Sequence, residues 1–162
     1  MFEVDALDVY GFGDLALRLG LASFIGLLLG LDREIHGHDA GIRTHALVAL
    51  SSAMIMVSSL MLFDQLDRSD GAPDPLRAVQ GLSQAIGFIA AGLIFVRGGS
   101  VRNMTTAANI WIAAAIGIAC GAGQYLLVLV GAGLAMILLT LLKLFERILP
   151  SERISDQSDR ED

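Results

Sequence analysis

Charge is the first thing this sequence is short of. Only 17% of its residues are Asp, Glu, Lys or Arg, against about a quarter in soluble domains, while 54% are hydrophobic. That balance excludes an ordinary soluble domain and predicts an integral membrane protein. Cysteine is scarcer still: Cys120 stands alone, so no disulfide framework exists, and among small neighbours it is expected to pack as a small hydrophobe. No Lys or Arg precedes the first apolar run, which follows the carboxylates Glu3, Asp5, Asp8 and Asp14. A secretory signal would open with a basic region, so that run is expected to stay as a helix. The formal net charge of −6 argues against a general nucleic-acid surface.

Long apolar runs are what the chain has instead. A hydrocarbon core about 30 Å thick needs about 20 mostly apolar residues in a helix, and about 17 suffice. Five stretches qualify: Leu15 to Leu31, Thr44 to Phe63, Val79 to Val96, Thr106 to Gly123 and Gln124 to Leu142. Gly121, Gly123 and Gln124 are expected to form the tight turn between the last two. The expected fold class is therefore all-α, a polytopic transmembrane helix bundle of about five spans. Residues 1–14 would form an extracytoplasmic N-terminal segment and 15–149 the transmembrane domain. Residues 150–162, polar and free of aromatics, are expected to form a disordered cytoplasmic tail. No repeat of solenoid length is visible.

Orientation follows from the cations. Five spans place Arg33, Arg43, Arg97, Arg102, Lys143, Arg147, Arg153 and Arg160 on one side, and only Arg68 and Arg77 on the other. The N-terminus is expected outside and the C-terminus inside. Arg18, near the outer end of the first span, is expected to pair with Asp14 one turn away.

Within the predicted spans carboxylates are absent, and Arg18 is the one cation; an ion-coupled pump usually keeps such a group at mid-depth. Small residues and uncharged amides stand there instead. Thr105, Asn109, Ala113, Gly117 and Gly121 recur at i, i+4 and so share a helix face; Gln80, Gln84, Gly87 and Ala91 do the same in the third span. Gly26 and Gly30 make a GxxxG pair, and Ser51, Ser52, Ser58 and Ser59 stud the second span. These positions are expected to bring helices into close contact, with a groove for a ligand or a partner's helix as the sharper reading.

The stretch between the first two spans carries Asp32, Glu34, His36, His38, Asp39 and His45. By type these are metal ligands, but their spacing matches no zinc signature such as HExxH, so neither a metal nor a cofactor is expected. A solvated turn facing lipid phosphates is the ordinary alternative. Glu34 and Arg43 are placed to staple two helix ends. Asp74, Pro75 and Arg77 read as a capped helix start, and Asn103 or Thr105 is expected to cap the fourth helix. No histidine shares a predicted depth with the serines, and no nucleophile elbow is present, so no catalytic residue is expected.

The motifs GLDRE at Gly30 to Glu34, AGIRTHALVAL at Ala40 to Leu50, DPLR at Asp74 to Arg77, IGFIAAGLI at Ile86 to Ile94 and VRNMTTAANIWIAAAIG at Val101 to Gly117 resemble, in order, those of the MgtC/SapB membrane proteins. The resemblance covers about Gly13 to Leu142 and takes in only the membrane domain; the virulence-type members carry a soluble C-terminal domain as well. It implies a non-enzymatic, multi-pass protein of the bacterial inner membrane. Members of that family support growth in low magnesium and survival in macrophages, and are held to restrain the membrane sector of the F-type ATP synthase. The implied partners are thus the lipid bilayer and another integral membrane protein such as that sector, or a second copy in a homo-oligomer, with no nucleic acid. The polar positions that match are Arg33, Glu34, Arg43, Thr44, Asp74, Arg77, Arg102, Thr105, Thr106 and Asn109. The pattern's glutamine four residues after the DPxR arginine is Gly81 here, with Gln80 one position earlier, and its later Ser-Gly pair is Gln84-Ala85. A transporter or channel for a small solute or divalent cation is the alternative reading, motivated by the acidic outer face.

Overall fold

The computed structural model describes residues 10–35, 37–66, 74–97 and 100–148. Five helices follow one another: α1 Phe12–Ile35, α2 Ile42–Leu66, α3 Leu76–Leu93, α4 Met104–Gly121 and α5 Tyr125–Ile148. A short hairpin of β1 Phe95–Arg97 and β2 Ser100–Arg102 joins α3 to α4, with Val96 opposite Val101. α1, α2 and α4 are long and apolar enough to cross a membrane, and Tyr125–Leu141 of α5 is an apolar stretch of shorter length. α3 is not in that group, because its 18 residues include Arg77, Gln80 and Gln84.

The helix limits have local causes. α1 runs past the expected Leu31 to Ile35 and stops at Gly37, whose φ of +67° suits glycine. There the N–H of His38 reaches the carbonyl of Arg33 and that of Gly37 reaches Glu34, both at 3.1 Å, the paired closure of a Schellman motif. The glycine of HGHD is thus a helix stop. Gly123, φ +72°, closes α4 in the same way: Gln124 N–H donates to Ala119 O at 2.9 Å and Gly123 N–H to Cys120 O at 3.0 Å. The turn expected there is present, and it separates α4 from α5.

Two expectations need correction. The third span was drawn to Val96, but α3 ends at Leu93, since Ile94 turns to extended backbone (φ −82°, ψ 124°) and the next three residues pair as a strand. The first helix starts at Phe12, inside the stretch expected to precede it. The expected segment 1–14 and the tail 150–162 otherwise lie almost wholly outside the described residues.

Glycine and alanine make the core. A Cβ on Gly26 would lie 2.7 Å from the carbonyl oxygen of His45, and one on Gly30 2.6 Å from Ile42 Cα, so α1 rides on the backbone of α2. From α4, a Cβ on Gly117 would strike Ala49 O, and one on Gly121 would lie 2.6 Å from Ala53 O, so α4 also rides on the backbone of α2. Lipid tails are as apolar as leucine, so helices in a bilayer gain from close van der Waals packing, and small residues permit it. Gly87 differs from the other four glycines expected at helix contacts. Nothing described lies within 4 Å of a Cβ there.

Polar ties close the two ends. At one, Tyr10 donates to Asp64 Oδ2 at 3.1 Å, and Arg18 pairs with Asp14 at 2.6 Å while its Nη1 donates to Gly121 O at 2.8 Å. Arg18 therefore meets its expected partner and also caps the negative end of α4. Burial, then the bond to Asp64, raises the Tyr10 hydroxyl above its usual pKa, so it stays a donor at neutral pH. At the other end Asn103 Nδ2 donates to Asp39 Oδ2 at 2.6 Å. That bond sets the α1–α2 loop beside the hairpin, with Arg43 and Arg102 on the same end of the bundle.

Candidate functional site

Most of the buried polar side chains lie where the loop-and-hairpin end meets α1, α2 and α4, with Ser52 deeper, beside Gly117. Arg33, His45, Ser52, Thr106 and Asn109 are the buried polar or charged residues among those described. Arg33, in the last turn of α1, is 2% exposed, and its Nη2 donates to Thr106 Oγ1 in the first turn of α4. Asn109 lies one turn further along the same face of α4 and is 7% exposed. Gly117 abuts Ala49 and Ser52; two turns back along both helices, that register sets Asn109 level with the start of α2, where His45 lies. His45 is wholly buried, and its Nδ1 stands 2.9 Å from Gly41 O. A carbonyl can only accept, so Nδ1 carries the proton, and Nε2 presents a lone pair in the neutral ring.

Four buried side-chain atoms among the described residues have no partner: Arg33 Nε, His45 Nε2, Ser52 Oγ and Asn109 Nδ2. Ser52 and His45 therefore do not bond to each other, and no serine–imidazole dyad forms. Among the described residues no three His, Cys, Asp or Glu side chains are grouped to hold a metal ion; His36 lies outside them.

Of the ten polar positions picked out by motif, the structure brings together Arg33, Thr106 and Asn109. Glu34 and Arg43 are exposed, and the expected staple between them does not form. Glu34 Oε2 instead takes the N–H of Ile42 at 3.0 Å, passing over Gly41, where a Cβ would collide with it. Thr44 is half-buried; Arg102 and Thr105 face outward. Asp74 and Arg77 sit at the far end of α3. There Asp74 Oδ1 accepts the N–H of Leu76 at 2.8 Å, close to the capping role expected of it. Asn103 precedes α4 in the left-handed region (φ 64°) and makes no side-chain cap bond, because its amide is on Asp39.

Two assignments change. The α4 face was drawn from Thr105, but the buried threonine is Thr106, since Asn109, Ala113, Gly117 and Gly121 turn toward α2 together with it. His45, expected on the wet rim, is inside the bundle. Its signal was present: counted back from Ala53, Ser52 and Ala49 at helical spacing, His45 continues the small face of α2. Arg33 likewise belongs to the helix, so the interior does hold a cation besides Arg18.

The two amide-bearing faces point in opposite directions. Asn109 is inside, whereas Gln80, Gln84 and Ala91 of α3 are exposed, with Gly81 and Gly92 beside them. Leu82, Ile86 and Ala90 form the seam by which α3 is held. Gln80 and Gln84 have no hydrogen-bond partner among the described residues.

A family model, that of the MgtC family, matches residues 19–148. YhiD of Escherichia coli strain K12, provisionally named a magnesium transporter, is 38% identical over 124 residues, 76% of this chain and 58% of YhiD. SrpB of Synechococcus elongatus is 38% identical over 143 residues, 83% of this chain and 78% of SrpB. MgtC of Brucella abortus is 38% identical over 108 residues, 67% of this chain and 42% of MgtC. The chain thus spans little more than half of YhiD and less than half of that MgtC. No solved structure matches it.

Proposed function

The chain belongs to the MgtC family, a family of bacterial membrane proteins, and from that premise we propose that it is a non-enzymatic regulator that works by helix contact within the inner membrane. The observation that carries this reading is the outward face of α3. Gln84 lies eight residues, about 12 Å of helix, from the start of α3, and its amide is turned away from the bundle. In hydrocarbon such an amide needs a partner, because an unmet polar group there costs several kcal/mol at the upper end of estimates, about 4–8. Gly81, Gly92, Ala85 and Ala91 flank the two glutamines, so a second helix can approach closely. The cation bias puts the Arg43–Arg102 end in the cytoplasm.

The family likeness supplies candidates: the membrane sector of the ATP synthase, a second copy of this chain, and a role under magnesium limitation. Cysteines at Gln84 and, as a buried comparison, at Ala113 test the contact by crosslinking in native membranes. Crosslinks from position 84 and none from 113 are expected; no partner and no self-dimer at 84 would count decisively against the reading.

Transport of a divalent cation is the second reading, favoured by Asp14, Asp64 and Asp74 at the end away from Arg33 and by YhiD's name. Magnesium favours carboxylate ligands, yet the buried polar cluster is built around an arginine. Liposomes loaded with a magnesium-sensitive dye decide: flux abolished by Asn109→Ala would replace the first reading with this one.

A further inference from the structure

Among the described residues the buried Arg33 forms no ion pair within 4 Å. Of the carboxylates near it in sequence, Glu34 is on the N–H of Ile42 and Asp39 on Asn103, while Asp32 attracts it through space. An ion taken out of water is costly unless it is paired and hydrogen-bonded. The negative end of α1 helps the guanidinium in part. What its one bond to Thr106 leaves over is a positive charge and a free Nε–H.

The surroundings repeat the same preference. Thr106 lies in the first turn of α4, where backbone N–H groups lack helical partners and the dipole favours negative charge. The side chain that would cap that turn, Asn103, is committed to Asp39. One turn deeper Asn109 keeps an unused Nδ2 donor, 93% buried by its 7% exposure. Among the described buried side-chain atoms without a partner, the donors Arg33 Nε and Asn109 Nδ2 lie toward this end of the bundle, and the one pure acceptor is His45 Nε2.

We infer that Arg33, Thr106, Asn109 and the N-terminus of α4 form a site for a phosphate-type oxyanion at the inner end of the bundle. Arg33 supplies charge and a planar pair of donors, Asn109 a neutral donor, and the helix start its amides. The exposed bond between Asp39 and Asn103 lies at the same end of the bundle. An oxyanion of this chemistry has two sources, free phosphate in the cytoplasm and the phosphate of an anionic lipid. The site does not depend on the α3 face.

Thermal unfolding of the purified full chain tests this in two arms. The first titrates sodium phosphate in detergent against sodium chloride at equal ionic strength. The second compares nanodiscs of phosphatidylcholine with and without phosphatidylglycerol. A saturable rise in Tm in the first arm identifies a soluble oxyanion, and a rise confined to the second a lipid phosphate; either supports the site. Arg33→Gln is expected to weaken the effect at least about tenfold, Asn109→Ala about three- to tenfold, and Arg43→Gln, an exposed arginine on the same end, not at all. Should Arg33→Gln fail to fold, Asn109→Ala decides. No rise in either arm, or a rise equal in wild type and Asn109→Ala, overturns the site and leaves buried water as the partner of these donors.

Discussion

α1, α2 and α4 meet through glycine at backbone distance, whereas α3 and α5 are held by narrow seams of side chains. In the first group the contacts are made by Gly26, Gly30, Gly117 and Gly121 against main-chain atoms of α2. In the second, Leu82, Ile86 and Ala90 hold α3, and Val128 and Ala135 are buried among the described side chains of α5. Phe88 is 83% exposed and Leu126 76%. The difference separates two kinds of helix. Backbone contact makes a rigid centre that can enclose polar groups, and a seam leaves most of a helix surface for lipid or for another protein.

Glycine substitution breaks this comparison most sharply. Gly117→Val is expected to lower stability by about 3 kcal/mol, the upper end for overpacking, because Ala49 O and Ser52 cannot both yield. Gly87→Val, on the open side of α3, should stay within about 0.5 kcal/mol. Thermal unfolding in detergent measures both, and similar losses would erase the distinction between centre and periphery.

Arg18→Ala comes next. It removes the ion pair with Asp14 and the bond to the last carbonyls of α4, and a loss of about 1–2 kcal/mol is expected by the same measurement. An unchanged Tm would mean that this end is closed without Arg18, by ties such as Tyr10 to Asp64.

Gln84→Leu separates folding from contact. Bundle stability should move by less than about 0.5 kcal/mol, while crosslinking from a cysteine placed at Ala91, on the same α3 face, should fall severalfold. A loss of stability with crosslinking intact would reassign Gln84 to the bundle. Asp39→Ala carries the smallest expected effect, under about 1 kcal/mol for an exposed hydrogen bond, with faster amide exchange at the start of α4 as its signature.

Much of this was legible in the residues. The helices are found where the apolar runs predict them, Gly37 and Gly123 stand at their stops, and Asp14 and Arg18, four apart, make the expected pair. The site was legible only in pieces. Arg33, Thr106 and Asn109 were picked out by motif, but so were Arg43, Thr105 and Arg77, which turn away from it. His45 was grouped with the loop histidines, although its spacing to Ala49 and Ser52 tied it to the helix.

Hydropathy, helix length and glycine stops are local properties, and they were enough to establish a membrane protein whose described residues form five helices. Which side of each helix is the inside is not local. Water no longer distinguishes the two faces when both interior and surroundings are apolar, and each residue turns a helix by about 100°. Thr106 rather than Thr105 therefore came to lie against Arg33, and the glutamines of α3 came to point outward, through the rotation that backbone contact at Gly26, Gly30, Gly117 and Gly121 imposes on neighbouring helices.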